Sequence, residues 1–154
     1  MKLSKKVFIV NDTHMRDSMH IGCKMVMENI YYLCQRYNLD VIGSDENISE
    51  IFDKKSFKNN IEDADCIIVN GEGTLHDNAG IGIFNRLRIA KDLNKKIILI
   101  NAVWQNNSIT KKYLSYFDLI YVREGFSLKE IKEDGAENAS CVPDLTFYSA
   151  NKIA

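Results

Sequence analysis

The chain has 154 residues, 45% of them hydrophobic and 27% charged, which suffices for one soluble domain with a substantial core. Its formal net charge of -1, with cations scattered as in KLSKK at the start and NKK at 94–96, excludes a bulk electrostatic drive toward nucleic acid or an anionic membrane and reads those cations as solvated surface. No apolar run approaches the roughly 20 residues of a membrane span, VFIV is too short for a secretory signal core, and the four cysteines (23, 34, 66 and 141) form no C-x-x-C pair, so a reducing cytoplasm is the expected compartment.

In chain order, VFIVN at 7–11 predicts a short strand, followed by the polar loop DTHMRDSMH. From Ile21 the pattern turns helical, with Val26, Ile30, Leu33, Cys34 and Tyr37 at spacings of three and four and Asn38 as a stop. LDVIGS is a second strand. Ile48, Ile51, Phe52 and Phe57 suggest one or two short helices between 45 and 60. CIIVN at 66–70 is a third strand; it lacks polar alternation, the mark of burial on both faces. A helix carrying Ile81, Phe84, Leu87, Arg88 and Leu93 follows a glycine-rich loop, and KIILIN is a fourth buried strand. Next come a short helix from Thr110 to Tyr116, the strand DLIYV, the helix SLKEIKEDG and a last short strand SCV ended by Pro143, the only proline. Strands alternating with helices predict an α/β fold, a mostly parallel sheet with helices on both faces, as one domain over 1–154.

Ligands of such sheets bind beyond the carboxyl ends of the strands. The segments to search are therefore 11–20, 44–47, 70–77, 101–107 and 123–127. ADCIIVNGEGTLHD (64–77) stands out, because a buried strand stops on two glycines flanking a carboxylate. Gly71 and Gly73 would let the backbone turn and expose N–H groups beside Asn70, able to hold an anion or a hydroxyl-rich ligand. Glu72 would project at the mouth, with Thr74 and His76 adding a hydroxyl and an imidazole. The pattern is neither G-x-G-x-x-G nor a P-loop, and a tight turn with a helix cap explains it as well.

Taken together, DADCIIVNGEGTLHD, IILINAVWQNNS, FDLIYVREGFSLKEIKEDG and CVPDLTF, in that order after NDTHMRDSMHIGCKMVMENI, resemble the N-terminal domain of the polysaccharide pyruvyl transferase family. Glu72 stands where a glycine is commoner in the family. The resemblance implies a Rossmann-like, doubly wound domain, one half of a two-domain transferase of the GT-B type. It also implies that a second, C-terminal domain or a partner chain completes the site. The implied chemistry is transfer of a pyruvate ketal from phosphoenolpyruvate to a sugar in surface polysaccharide synthesis. Phosphoenolpyruvate would be a donor substrate, the partner a sugar or glycan acceptor, and no separate cofactor is implied.

That reaction needs cations for the donor's carboxylate and phosphate, an acid for its methylene and a base for the attacking hydroxyl. Arg123, just past a strand, could grip an oxyanion through two bonds, or pair with Glu124 or another acid. Glu72, His76 and Asp77 are the base candidates. Glu124 and Ser127 are candidate ligands, though better read as capping the next helix, with Ser127 well placed for it. Asp144 would orient Arg123 or order the domain's end. His20 reads as a sugar or phosphate contact, and His14, His20, Asp12 and Asp17 lack a known metal-ligand spacing, so no metal is expected. Trp104 and Gln105 suit sugar stacking, unless the ring packs on the sheet. Two other readings stay open: a glycosyltransferase half-domain, and a truncated, non-catalytic Rossmann-like binding module. Self-association through an apolar face is a further expectation.

Overall fold

The computed structural model describes residues 4–14, 20–46 and 49–148. Six strands, β1 (Lys5–Val10), β2 (Leu39–Asp45), β3 (Cys66–Asn70), β4 (Lys96–Ala102), β5 (Leu119–Val122) and β6 (Ala139–Cys141), form one sheet in the order β2-β1-β3-β4-β5-β6. Every pairing is parallel. The strands fall where the apolar runs predict them, because a segment such as CIIVN offers β-branched side chains to both faces and can be satisfied only inside a covered sheet.

Four α-helices complete the domain: α1 (Ile21–Arg36), α2 (Lys54–Ile61), α3 (Ile81–Asp92) and α4 (Gly125–Glu133). The 45–60 region holds the single helix α2, whose start is fixed by Asp53, a side chain accepting from the N–H groups of Lys55 and Ser56. Thr110–Tyr116 and Leu145–Phe147 are 3-10 helices, and the second of these was not expected from the sequence.

The helices do cover both faces, but unequally. The chain runs from β1 to β2 in one direction across the sheet and from β3 onward in the other, and right-handed crossovers then place the connections on opposite faces. On one face α1 stands alone, packing Val26, Met27, Ile30 and Cys34 on Val7, Ile9 and Ile68. On the other, α2, α3, the 110–116 helix and α4 bury Phe57, Ile61, Phe84, Leu87, Leu114 and Ile131 against Phe8, Val69, Leu99 and Ile120. On the α1 side, among the described residues, β4 to β6 keep only the 145–147 turn as cover. An apolar groove of about 770 Å³ remains there, walled by Leu33, Tyr37, Ile100, Tyr121, Pro143 and Phe147.

Arg86 corrects the expectation that the cations are all solvated. It is 1% exposed. Its Nε donates to Asp45 at 2.6 Å, its Nη1 donates to the carbonyls of Ser49 and Gly82 at 2.7 and 2.9 Å, and its guanidinium lies 4.1 Å from the centroid of the Phe52 ring. One cation thus ties the end of β2, the segment before α2 and the first turn of α3.

Candidate active site

All six strands end at one rim, and β1 and β3 flank the point where the strand order reverses. Asparagine follows β1 and closes β3. Asn11 adopts φ 65°, and its Nδ2 donates to the Asn70 carbonyl at 2.6 Å and to Thr74 Oγ1 at 3.4 Å. Asn70 is fully buried; its Nδ2 reaches Thr13 Oγ1 and Met27 Sδ, both at 3.4 Å, while its Oδ1 has no partner among the described residues. On β4, Asn101 (φ 55°) marks the register shift against β5, and its Oδ1 accepts from the N–H of Leu145 at 3.0 Å. Asn29 of α1 donates to the Leu145 carbonyl at 2.7 Å, so that residue's backbone is held on both sides.

The turn after β3 differs from expectation. Gly71 is required by packing, since a Cβ there would lie 2.5 Å from the Ala102 Cβ and 2.7 Å from its Cα. Gly73 is neither crowded nor left-handed. The left-handed step falls on Glu72 instead, at φ 37°. Eight non-glycine residues among those described have positive φ; six are asparagine and one is aspartate, types that tolerate the region, and Glu72 is the exception. Nor does Glu72 project into solvent. It is 8% exposed and its carbonyl accepts from Val103 N–H at 2.8 Å, while among the described residues no hydrogen bond or ion pair engages its carboxylate.

His76 and Asp77 sit further along the same loop. His76 Nδ1 lies 2.8 Å from Asp77 Oδ2, and Asn106 Nδ2 donates to Asp77 Oδ1 at 2.9 Å. The imidazole first, then the Asn106 amide, hold the Asp77 carboxyl below the ordinary carboxylate range. The backbone of His76 bridges Gln105, and Asp77 N–H donates to the Gln105 carbonyl at 2.8 Å. Asn107 fastens the two loops again by donating from Nδ2 to the Leu75 carbonyl at 2.8 Å.

A cavity of about 700 Å³ opens between the 103–106 loop and α4, and Arg123, Glu124, Ser127, Trp104 and Gln105 line it. Arg123 Nη1 pairs with Asp144 Oδ2 at 2.9 Å, with the arginine side chain 30% exposed. Glu124, rather than Ser127, is the N-cap of α4: its carboxylate accepts from the N–H groups of Phe126 and Ser127 at 2.6 and 2.8 Å. Ser127 is buried, donates to Glu124 and accepts from Trp104 N–H at 2.8 Å. Burial opposes ionisation of Glu124, but the Ser127 hydroxyl, the two backbone N–H groups and the Arg123 charge outweigh it and hold its carboxyl low. Trp104 is fully buried and its Nε1 donates to Asp134 at 3.0 Å, so its ring belongs to the core and is not available for stacking. The aromatic ring at the cavity is Phe126, 88% exposed, which sequence reasoning missed.

Glu72 and His76 share the rim with Arg123 without lining this cavity. They border it through Val103 and Gln105, which are hydrogen-bonded or bridged to them and do line it. Asp144 and Asn101 face the groove on the α1 side. His20 precedes α1, is exposed and makes no side-chain cap bond. Asp12 is buried and accepts from Tyr31 OH at 2.5 Å and from His14 N–H at 3.0 Å, while burial first and then this bond push the Tyr31 hydroxyl up to about 12. Asp17 lies outside the described residues.

A six-stranded parallel sheet with helices interspersed and a polar rim at its carboxyl edge defines an α/β domain of the Rossmann-like class. Residues 20–154 match the polysaccharide pyruvyl transferase family, and the chain belongs to that family. It is accordingly a domain of a polysaccharide-modifying transferase. Comparison with curated proteins gives no match.

Proposed function

We propose that this domain supplies the acceptor side of an enzyme that moves pyruvate from phosphoenolpyruvate onto a sugar as a cyclic ketal. The observation that carries the reading is Glu72: a residue 8% exposed and left-handed at φ 37°, whose carboxylate has no hydrogen-bond or ion-pair partner among the described residues, at the crevice where ligands of such sheets bind. A carboxylate in that position that the fold does not use suits proton transfer better than architecture.

In the proposed reaction a base takes the proton of one sugar hydroxyl as its oxygen attacks C2 of the enolpyruvyl group, and an acid protonates C3. The C2–O bond to phosphate then breaks, and a second hydroxyl adds to C2 to close the ketal, losing its proton to the released phosphate. Glu72 is the proton-transfer group on this domain, with His76 and its partner Asp77, further along the same loop, as the second one. Arg123, oriented by Asp144 and partly exposed, offers the rest of its guanidinium to the donor's carboxylate or phosphate. A second domain or partner chain, which the resemblance implies, supplies the remaining donor contacts, and the setting is cytoplasmic surface-polysaccharide synthesis.

The test is release of phosphate from phosphoenolpyruvate by the full-length gene product, with and without glycans bearing free hydroxyl pairs. Release that depends on the glycan is expected, and none with any acceptor overturns the reading. Arg123→Ala is expected to abolish that release while leaving the far-ultraviolet circular dichroism unchanged, and Arg123→Lys to restore little, since a lysine cannot make the paired contact. Wild-type turnover in Arg123→Ala would remove the residue from the site.

A further inference from the structure

The β4–α4 cavity contains a ring and an amide that the fold does not use. Phe126 is 88% exposed at its wall and presents a phenyl face to the cavity. Gln105 is exposed at the same cavity, and no hydrogen bond to its side-chain amide is made among the described residues. Several charged groups around them have partners within the protein: Arg123 pairs with Asp144 through Nη1, Glu124 caps α4 and Glu130 accepts from Asn106 N–H. Beside the rest of the Arg123 guanidinium, the wall offers one apolar face and one neutral group that both donates and accepts.

From this we infer that the cavity is a saccharide subsite in which the Phe126 ring stacks on the apolar face of a pyranose and the Gln105 amide binds its hydroxyls. This rests on the reading of the domain as the acceptor side of the transferase, and names where the acceptor sits. A pyranose matches the chemistry on each count: its axial C–H groups form an apolar face, its rim is hydroxyl, and it is uncharged. The cavity, about 700 Å³, exceeds one sugar ring, so the site accommodates a glycan segment. Val103 lines it and also donates its N–H to Glu72, which sets the reacting end of the acceptor on the Glu72 side.

Saturation-transfer NMR on the full-length gene product with methyl β-galactopyranoside and methyl β-glucopyranoside tests the subsite without requiring turnover. The wild type is expected to transfer saturation to the protons on one face of at least one of these sugars. Phe126→Ala is expected to lose it, and Phe126→Tyr, which keeps a ring, to retain it. No transfer in the wild type, or equal transfer in Phe126→Ala, overturns the inference. In the phosphate-release assay, Phe126→Ala is expected to raise the acceptor KM roughly tenfold, with the KM for phosphoenolpyruvate unchanged; an unchanged acceptor KM, or a shift confined to the donor, counts against it. Sugar binding without phosphate release would leave the subsite standing and overturn the transfer reading. Phosphate release with Phe126→Ala indistinguishable from wild type would do the reverse.

Discussion

At the scale of single residues, Glu72 makes opposite demands on stability and on activity. A glycine would adopt φ 37° without the crowding that a Cβ brings. Glu72→Gly is therefore expected to stabilise the domain by about 1 kcal/mol in urea denaturation, yet to lower glycan-dependent turnover at least about a hundredfold. Glu72→Gln, which retains the backbone cost, is expected to lose the same turnover without the gain in stability. Wild-type turnover in both variants would assign Glu72 to structure. The sequence made this residue conspicuous, a carboxylate between two glycines, but pointed to the glycines as the bent positions. The structure reverses those roles, because Gly71 answers to the nearness of Ala102 and only Glu72 carries the unusual φ.

At the scale of elements, helix α4 depends on its first residue. Replacing the Glu124 cap by alanine is expected to cost about 1 kcal/mol at neutral pH. The Glu124 carboxyl titrates lower in the folded protein than in the unfolded chain, so its contribution is fully present above the ordinary glutamate value of about 4.3 and is lost as pH falls through the lowered folded value. The difference in urea midpoint between wild type and Glu124→Ala is accordingly expected to shrink below that pH; a difference that grew on acidification would contradict the assignment. Strands were the most legible elements, since unbroken β-branched runs such as CIIVN leave little choice. The 45–60 segment was the least legible: its turns are set by Asp53 capping and by a distant arginine, neither of which leaves a periodic trace. Phe126 escaped notice for a related reason, because an aromatic residue in a helical stretch reads as core until the fold shows which side it faces. A signal for the rim was present, in that VFIVN, CIIVN and IILIN all finish on asparagine, and Asn11 and Asn101 take the left-handed conformation that this residue tolerates best.

At the scale of the whole molecule, Arg86 joins parts of the chain that the sheet alone does not. Arg86→Met removes a buried cation whose partners are the Asp45 carboxylate and two carbonyls, and is expected to lower stability by about 3 kcal/mol, measured by chemical denaturation. A loss within about 0.5 kcal/mol would mean that the segment before α2 holds its place without it. Sequence alone could not rank Arg86 above the neighbouring Arg88, because both sit on a helix whose buried face becomes known only when α2 and β2 are packed against it.

The contact between the ends of β3 and β4 also governs how the protein ages. Asn70 and Gly71 form the dipeptide most prone to spontaneous deamidation, in which the glycine nitrogen attacks the asparagine side chain and closes a succinimide. Here that nitrogen donates its proton to the Ile100 carbonyl at 2.9 Å and the asparagine side chain is enclosed, so the ring cannot close while the sheet is intact. Loss of ammonia at Asn70, followed by peptide mapping during storage, is therefore expected to track the fraction of molecules in which this part of the sheet has opened, making the strand end a built-in chemical clock for unfolding.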